Sequence, residues 1–139
     1  MGIISRKNGI EHIDTNILVR MIVKDEPKQL KSIRKLFSSH NKLLVFEDAT
    51  MMEVVFVLAG VYKYTREQIA RDIKKAMQIP NLVCNKSIIE GALDLYVSHP
   101  KLSFVDCYLA VITDTSQEKP LWTFDKKLLA QCSFAKEPQ

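Results

Sequence analysis

The chain of 139 residues has only four glycines and one tryptophan. Neither a G-x-G-x-x-G nor a G-x-x-x-x-G-K-[ST] loop can be found, which removes dinucleotide-binding and P-loop readings. Its three cysteines, Cys84, Cys107 and Cys132, are widely spaced and form no C-x-x-C pair. An odd, scattered set argues against a disulfide framework or a structural zinc site, and each thiol is expected to be a small buried side chain. The histidines, His12, His40 and His99, show no ligand spacing. No Ser-His-Asp arrangement is readable, so a serine hydrolase is not supported. The longest uncharged apolar run, Val54 to Tyr62, is far too short to span a bilayer. The N-terminal MGIISRKNGIEH lacks the apolar segment of a signal peptide. A cytoplasmic protein without a membrane partner is therefore expected.

What is present is ordinary for a globular fold: 47% hydrophobic and 26% charged residues. The length suits one domain over residues 1–139, with residues 1–9 as a polar leader that is a candidate for disorder. The formal net charge of +4 is a weak pointer to nucleic acid. Basic residues gather between 24 and 42, where Lys24, Lys28, Lys31, Arg34, Lys35 and Lys42 face only Asp25 and Glu26. By itself such a run reads first as a solvated helix face.

Strands and helices alternate. Ile10 to Ile13 reads as a short strand, followed at once by helical spacing at Ile17, Leu18, Met21 and Ile22. Pro27 suits the first turn of a second helix, with Leu30, Ile33 and Phe37 inward. Leu43 to Phe46 is a second strand, ended by Glu47-Asp48. A helix with Val54, Val55 and Leu58 follows, then a break from Gly60 to Tyr64. Thr65-x-x-Gln68 opens another helix with a capping box. Leu82 to Cys84 is a third strand. Ile88 to Val97 is helical, and Ser103-x-x-Asp106 caps a helix carrying Val105, Leu109 and Ile112. Leu121 to Phe124 is a fourth strand, and residues 128–135 hold a last short helix and an edge strand. Strands apolar on both faces imply a parallel sheet covered on both sides. Right-handed crossovers then predict a three-layer α/β/α sandwich around a mostly parallel sheet of four to five short strands.

In such sheets ligands bind beyond the carboxyl ends of the strands. Four acids fall at that edge: Asp14 directly after the first strand, Glu53 in the helix after the second, Asp106 in the first turn of its helix, and Asp125 directly after the fourth strand. Each has a local explanation. Asp14 and Asp125 can cap helices or turns, and Thr50-x-x-Glu53 and Ser103-x-x-Asp106 fit capping boxes. Jointly they suggest more. Two carboxylates about 4 Å apart repel by roughly 4 kcal/mol at an effective dielectric of 20. Four at one edge would call for a cation. An oxygen-only donor set suits Mg²⁺ or Mn²⁺, the ions of phosphodiester hydrolysis.

IDTNILVRMIVKDEPKQ, Glu53 in TMMEVVFVL, DCYLA from Asp106 and TFDKKL around Asp125 together resemble a PIN domain, in particular the VapC-type toxin ribonucleases. The similarity runs from about residue 10 to 134. It implies that Asp14, Glu53, Asp106 and Asp125 are the metal-binding catalytic acids, and that Asn16 and Thr123 help to order the site. His12 stands where an apolar strand residue is usual and is given no role.

The resemblance implies a metal-dependent endoribonuclease, the toxin of a type II toxin–antitoxin pair. It would hydrolyse RNA phosphodiesters with water activated by Mg²⁺ or Mn²⁺, leaving a 5′-phosphate and a 3′-hydroxyl. Lys126 and Lys127 are candidate phosphate contacts. A small antitoxin and a second copy of the chain are the implied protein partners. The groove beside the Pro27–Phe37 helix and the Met51/Met52 helix is the expected antitoxin surface, Met-rich surfaces being adaptable; the alternative is that both methionines fill the core. Two other readings stay open. One is a PIN nuclease of RNA processing or of DNA, without an antitoxin. The other is a non-catalytic PIN-like module that binds protein.

Overall fold

A computed structural model describes residues 9–39 and 41–139. The expected leader, apart from Gly9, lies outside the described residues, as does His40. Contacts divide the chain into two compact units, with the boundary between Lys86 and Ser87.

The first unit begins with strand β1 (Ile10–His12), helices α1 (Thr15–Val23) and α2 (Pro27–Phe37), and strand β2 (Leu43–Val45). Helices α3 (Asp48–Gly60) and α4 (Arg66–Ala76) and strand β3 (Leu82–Val83) complete it. The strands form one parallel sheet in the order β1-β2-β3. Ile10 lies opposite Leu43, and Leu44 lies opposite both Glu11 and Leu82. Both crossovers step the same way along the sheet, so right-handed connections put both helix pairs on one face. There α1 packs on α3, and each also packs on α4. The core is Leu18, Val19, Leu44, Phe46, Met51, Val54, Leu58, Ile69 and Ile73, all buried.

Local signals set the helix starts. Pro27 occupies the first turn of α2, where its missing N–H costs nothing. Thr65 and Gln68 make the expected reciprocal capping box of α4. The box expected from Thr50 and Glu53 does not form: α3 already begins at Asp48, after Glu47, which leaves both residues inside the helix. Helix α3 also runs on to Gly60, so the break begins at Val61. That break is tied back to α1. Arg20 Nη1 meets Asp25 Oδ1 at 2.5 Å, Arg20 Nη2 donates to the Tyr62 hydroxyl, and the guanidinium lies 5.8 Å from the Tyr62 ring centre. The Tyr62 hydrogen bond leads in holding the Arg20 pKa above the ordinary arginine value.

The second unit contains α5 (Lys86–Ser98), α6 (Phe104–Ser116), β4 (Leu121–Trp122), α7 (Lys126–Gln131) and β5 (Ala135–Lys136). Its two strands pair in parallel, Leu121 with Ala135 and Trp122 with Lys136. Ser103 and Asp106 form the expected capping box of α6. Tyr96 and Phe104 meet edge to face at 5.7 Å within the apolar interior. Cys107 and Cys132 are buried, as expected, whereas Cys84 in the first unit is half-buried.

Among the described residues there are thus seven helices and five parallel strands, an α/β fold. The strands divide as three and two, not as one hydrogen-bonded sheet. They are also shorter than the apolar runs suggest. Ile13, Phe46, Cys84, Thr123 and Phe124 all fall outside the strands, although the N–H groups of Ile13, Phe46 and Thr123 still bond to the neighbouring chain segment.

Leu43 and Leu44 test the sheet's sidedness, since one is 45% exposed and the other fully buried. Leu44→Ala is expected to cost about 2–5 kcal/mol and Leu43→Ala well under about 1 kcal/mol in urea unfolding. Equal costs would mean that the strand's register is wrong.

Candidate active site

In the first unit, Ile13 extends the β1 ladder by donating to the Val45 carbonyl at 3.0 Å. Asp14 follows with extended backbone and becomes the N-cap of α1. Its Oδ1 accepts from the Thr15 N–H at 2.7 Å. That donor is the first helical N–H, one position before those a capping side chain ordinarily takes. The Asp14 side chain is exposed, and its second oxygen remains for other donors or a cation. Asn16, also exposed, lines a pocket of about 390 Å³ between α1 and α2 with Ile17, Arg20 and Lys28. No hydrogen bond joins it to Asp14 among the described residues. Glu53 is exposed within α3.

Two features near Asp14 were not singled out in the sequence. Glu47, at the carboxyl end of β2, lies 3.6 Å from His12 Nδ1. The sequence signal was the Glu47-Asp48 pair, read only as a strand stop. Thr15 is 4% exposed, and its hydroxyl has no hydrogen-bond partner among the described residues.

In the second unit, Asp106 occupies the first turn of α6. Its Oδ2 accepts from the Ser103 N–H, and its own N–H donates to Ser103 Oγ, both at 3.1 Å. Thr123 and Asp125 form a second local arrangement. Thr123 Oγ1 accepts from the Asp125 N–H at 2.9 Å, and Asp125 Oδ1 accepts from the Lys127 N–H at 2.9 Å. The Thr123 N–H is itself held by the Lys136 carbonyl at 3.0 Å. Hydrogen bonds thus run from the β5 backbone through Thr123 and its hydroxyl to the backbone N–H of Asp125. Asp106 and Asp125 are half-buried, and Lys126 and Lys127 are exposed.

Three of the four acids therefore act as helix-start acceptors, as their local explanation requires. Each does so in the hydrogen bonds above through one oxygen of two. Asp14 and Glu53 belong to the first unit, Asp106 and Asp125 to the second. Among the described residues, no three His, Cys, Asp or Glu side chains group closely enough to hold a metal ion. The donor chemistry nevertheless fits a hard divalent ion: the four side chains supply oxygen only, and a singly hydrogen-bonded carboxylate keeps acceptor capacity.

The expected antitoxin groove is corrected at its methionine wall. Met51 is 1% exposed and fills the core, and Met52 is half-buried. An apolar groove does lie beside the Pro27–Phe37 helix, between α1, α2 and α4. It is a cavity of about 320 Å³ lined by Met21, Leu30, Ile33, Phe37 and Ile79, with Lys24, Arg34, Lys75 and Asp72 also in its wall.

The PIN domain family model matches residues 12–133, which covers both units. No curated protein matches the chain significantly.

Asp14→Asn is expected to melt close to the unchanged protein, within about 0.5 kcal/mol, because Asn caps nearly as well as Asp; Asp14→Ala should cost about 1 kcal/mol. A loss of similar size for both variants would show that the charge, not the acceptor, supports the fold. Thr15→Val is expected to be neutral or stabilising, since no bond of the hydroxyl is lost. A loss above about 1 kcal/mol in the same melts would reveal a partner for that hydroxyl.

Proposed function

The chain belongs to the PIN domain family, whose members share a nuclease-type fold and are generally metal-dependent nucleases that bind nucleic acid, and on that premise we propose that it is a metal-dependent endoribonuclease. Asp14, Glu53, Asp106 and Asp125 would hold the ion, Mg²⁺ or Mn²⁺. The observation that carries this reading is the family match combined with oxygen donors at all four positions. When bound, a divalent ion supplies Lewis acidity, lowering the pKa of water and offsetting charge on the phosphodiester oxygens.

The chain's own residues do the positioning. The Thr15 N–H fixes one oxygen of Asp14 at the end of β1. The Ser103 box fixes Asp106. Thr123, anchored to β5, sets the backbone of Asp125 and so its carboxylate. Acids held in this way need little reordering on binding, which favours affinity. Lys126 and Lys127 take phosphates of the substrate strand. Attack by water leaves a 5′-phosphate and a 3′-hydroxyl.

We assign the protein to the toxin side of a type II toxin–antitoxin pair, acting in the cytoplasm. No described helix is long and apolar enough to cross a membrane. The groove between α1, α2 and α4 supports a small protein partner: an apolar floor with three cations, Lys24, Arg34 and Lys75, against one acid, Asp72, suits an amphipathic segment with acidic residues. The exposed Phe56 and Val61, 77% and 67% accessible, supply apolar surface of the kind that homodimerisation covers.

Single-stranded RNA incubated with Mg²⁺ or Mn²⁺ should be cut to 5′-phosphorylated fragments. Cutting should cease in EDTA and in Asp14→Asn, while the variant still melts cooperatively. Activity that survives exhaustive chelation, or persists in Asp14→Asn, would overturn the mechanism. Parallel reactions on DNA of the same sequence decide the substrate, because water attack gives the 2′-hydroxyl no chemical role.

A further inference from the structure

The acids leave unexplained two aromatic rings beside them in the sequence. Trp122 and Phe124 are 59% and 69% exposed. From Leu121 to Asp125 the residues alternate between half-buried and exposed. That is the period of two of an extended chain, and it turns both rings to water. Three ammonium groups accompany them. Lys136 is the ladder partner of Trp122 on β5, so the two side chains share one face of the strand pair. Lys126 and Lys127, both exposed, follow Asp125 directly.

We propose that Trp122 and Phe124 form a stacking platform for unpaired bases of a single-stranded nucleic acid, with Lys136, Lys126 and Lys127 taking its phosphates. Unpaired strands need two things of a protein: flat π-faces for bases and cations for the backbone. This segment supplies both within a few residues. Positions two apart on an extended chain are about 6.6 Å apart. That is close to two stacking steps of about 3.4 Å, so the spacing admits a base on or between the rings. The clustered lysines argue for a polyanion over the apolar face of another protein. Choosing RNA over DNA rests on the nuclease reading; the platform itself does not. It also gives a binding preference for loops and single strands, since a paired base has no free face to offer.

Trp122 is the only tryptophan, so its fluorescence reports on this segment alone. The full chain, in EDTA to prevent cleavage, is titrated with a short single-stranded oligoribonucleotide. Quenching should saturate with the oligonucleotide and be absent with an abasic oligomer of equal length and charge. Phe124→Leu should weaken binding roughly 5- to 150-fold with an unchanged circular dichroism spectrum. Lys126→Gln should flatten the salt dependence of binding. Unchanged fluorescence, or equal quenching by the abasic oligomer, would overturn the platform. So would a concentration-dependent dimer that Phe124→Leu abolishes, which would make the rings an interface between copies. The two readings fail separately: RNA cut without any response of Trp122 refutes the platform alone, and base-dependent quenching without metal-dependent cutting refutes the nuclease alone.

Discussion

A strand of two or three residues makes too few ladder bonds to fix its own place. All five strands here are of that length. What orders them is the hand-over from strand to helix, where the first helical N–H groups need acceptors and the chain has to turn. Asp14 and Asp125 supply acceptors two residues beyond the end of β1 and three beyond the end of β4. The rest of each unit depends on these hand-overs, because they set the direction in which each helix leaves its sheet.

The same constraint explains how an acid can be structural and chemical together. A cap uses one lone pair of a carboxylate that offers about four. At Asp14 and Asp125 it also holds the group just beyond the carboxyl end of a strand, where a parallel sheet leaves room for a ligand, whereas Asp106 opens a helix that follows α5. A capping bond is therefore compatible with a ligand role at Asp14, Asp106 and Asp125. Glu53 differs, since α3 starts ahead of it and leaves it no capping duty.

Much of the fold was legible because its signals are local. The Thr65–Gln68 and Ser103–Asp106 boxes, Pro27 in its first turn and the inward faces of Ile69 and Ile73 follow from spacings of three and four residues. The Thr50–Glu53 pattern misled because Glu47-Asp48 starts the helix earlier, and a capping box acts only at a helix's first residue. Met51 could be read as core or as partner surface, since methionine serves both; packing made it core. For the candidate site, the bonds of each acid were legible and its distance to the others was not. Separation in space between Asp14 and Asp106 is a tertiary property that no short pattern encodes. Trp122 and Phe124 were hidden for a related reason: an apolar run predicts burial, whereas both rings are exposed.

Helix α1 ends at Lys24 in the left-handed conformation, with φ of 59°. Glycine would adopt it freely, whereas a residue with a Cβ is disfavoured by about 1 kcal/mol. The strain serves a purpose if the ammonium does, because Lys24 also lines the wall of the groove between α1, α2 and α4. A glycine there would relax the turn and erase a cation from that wall. Firmness of the fold and charge of the groove wall thus pull in opposite directions at this residue.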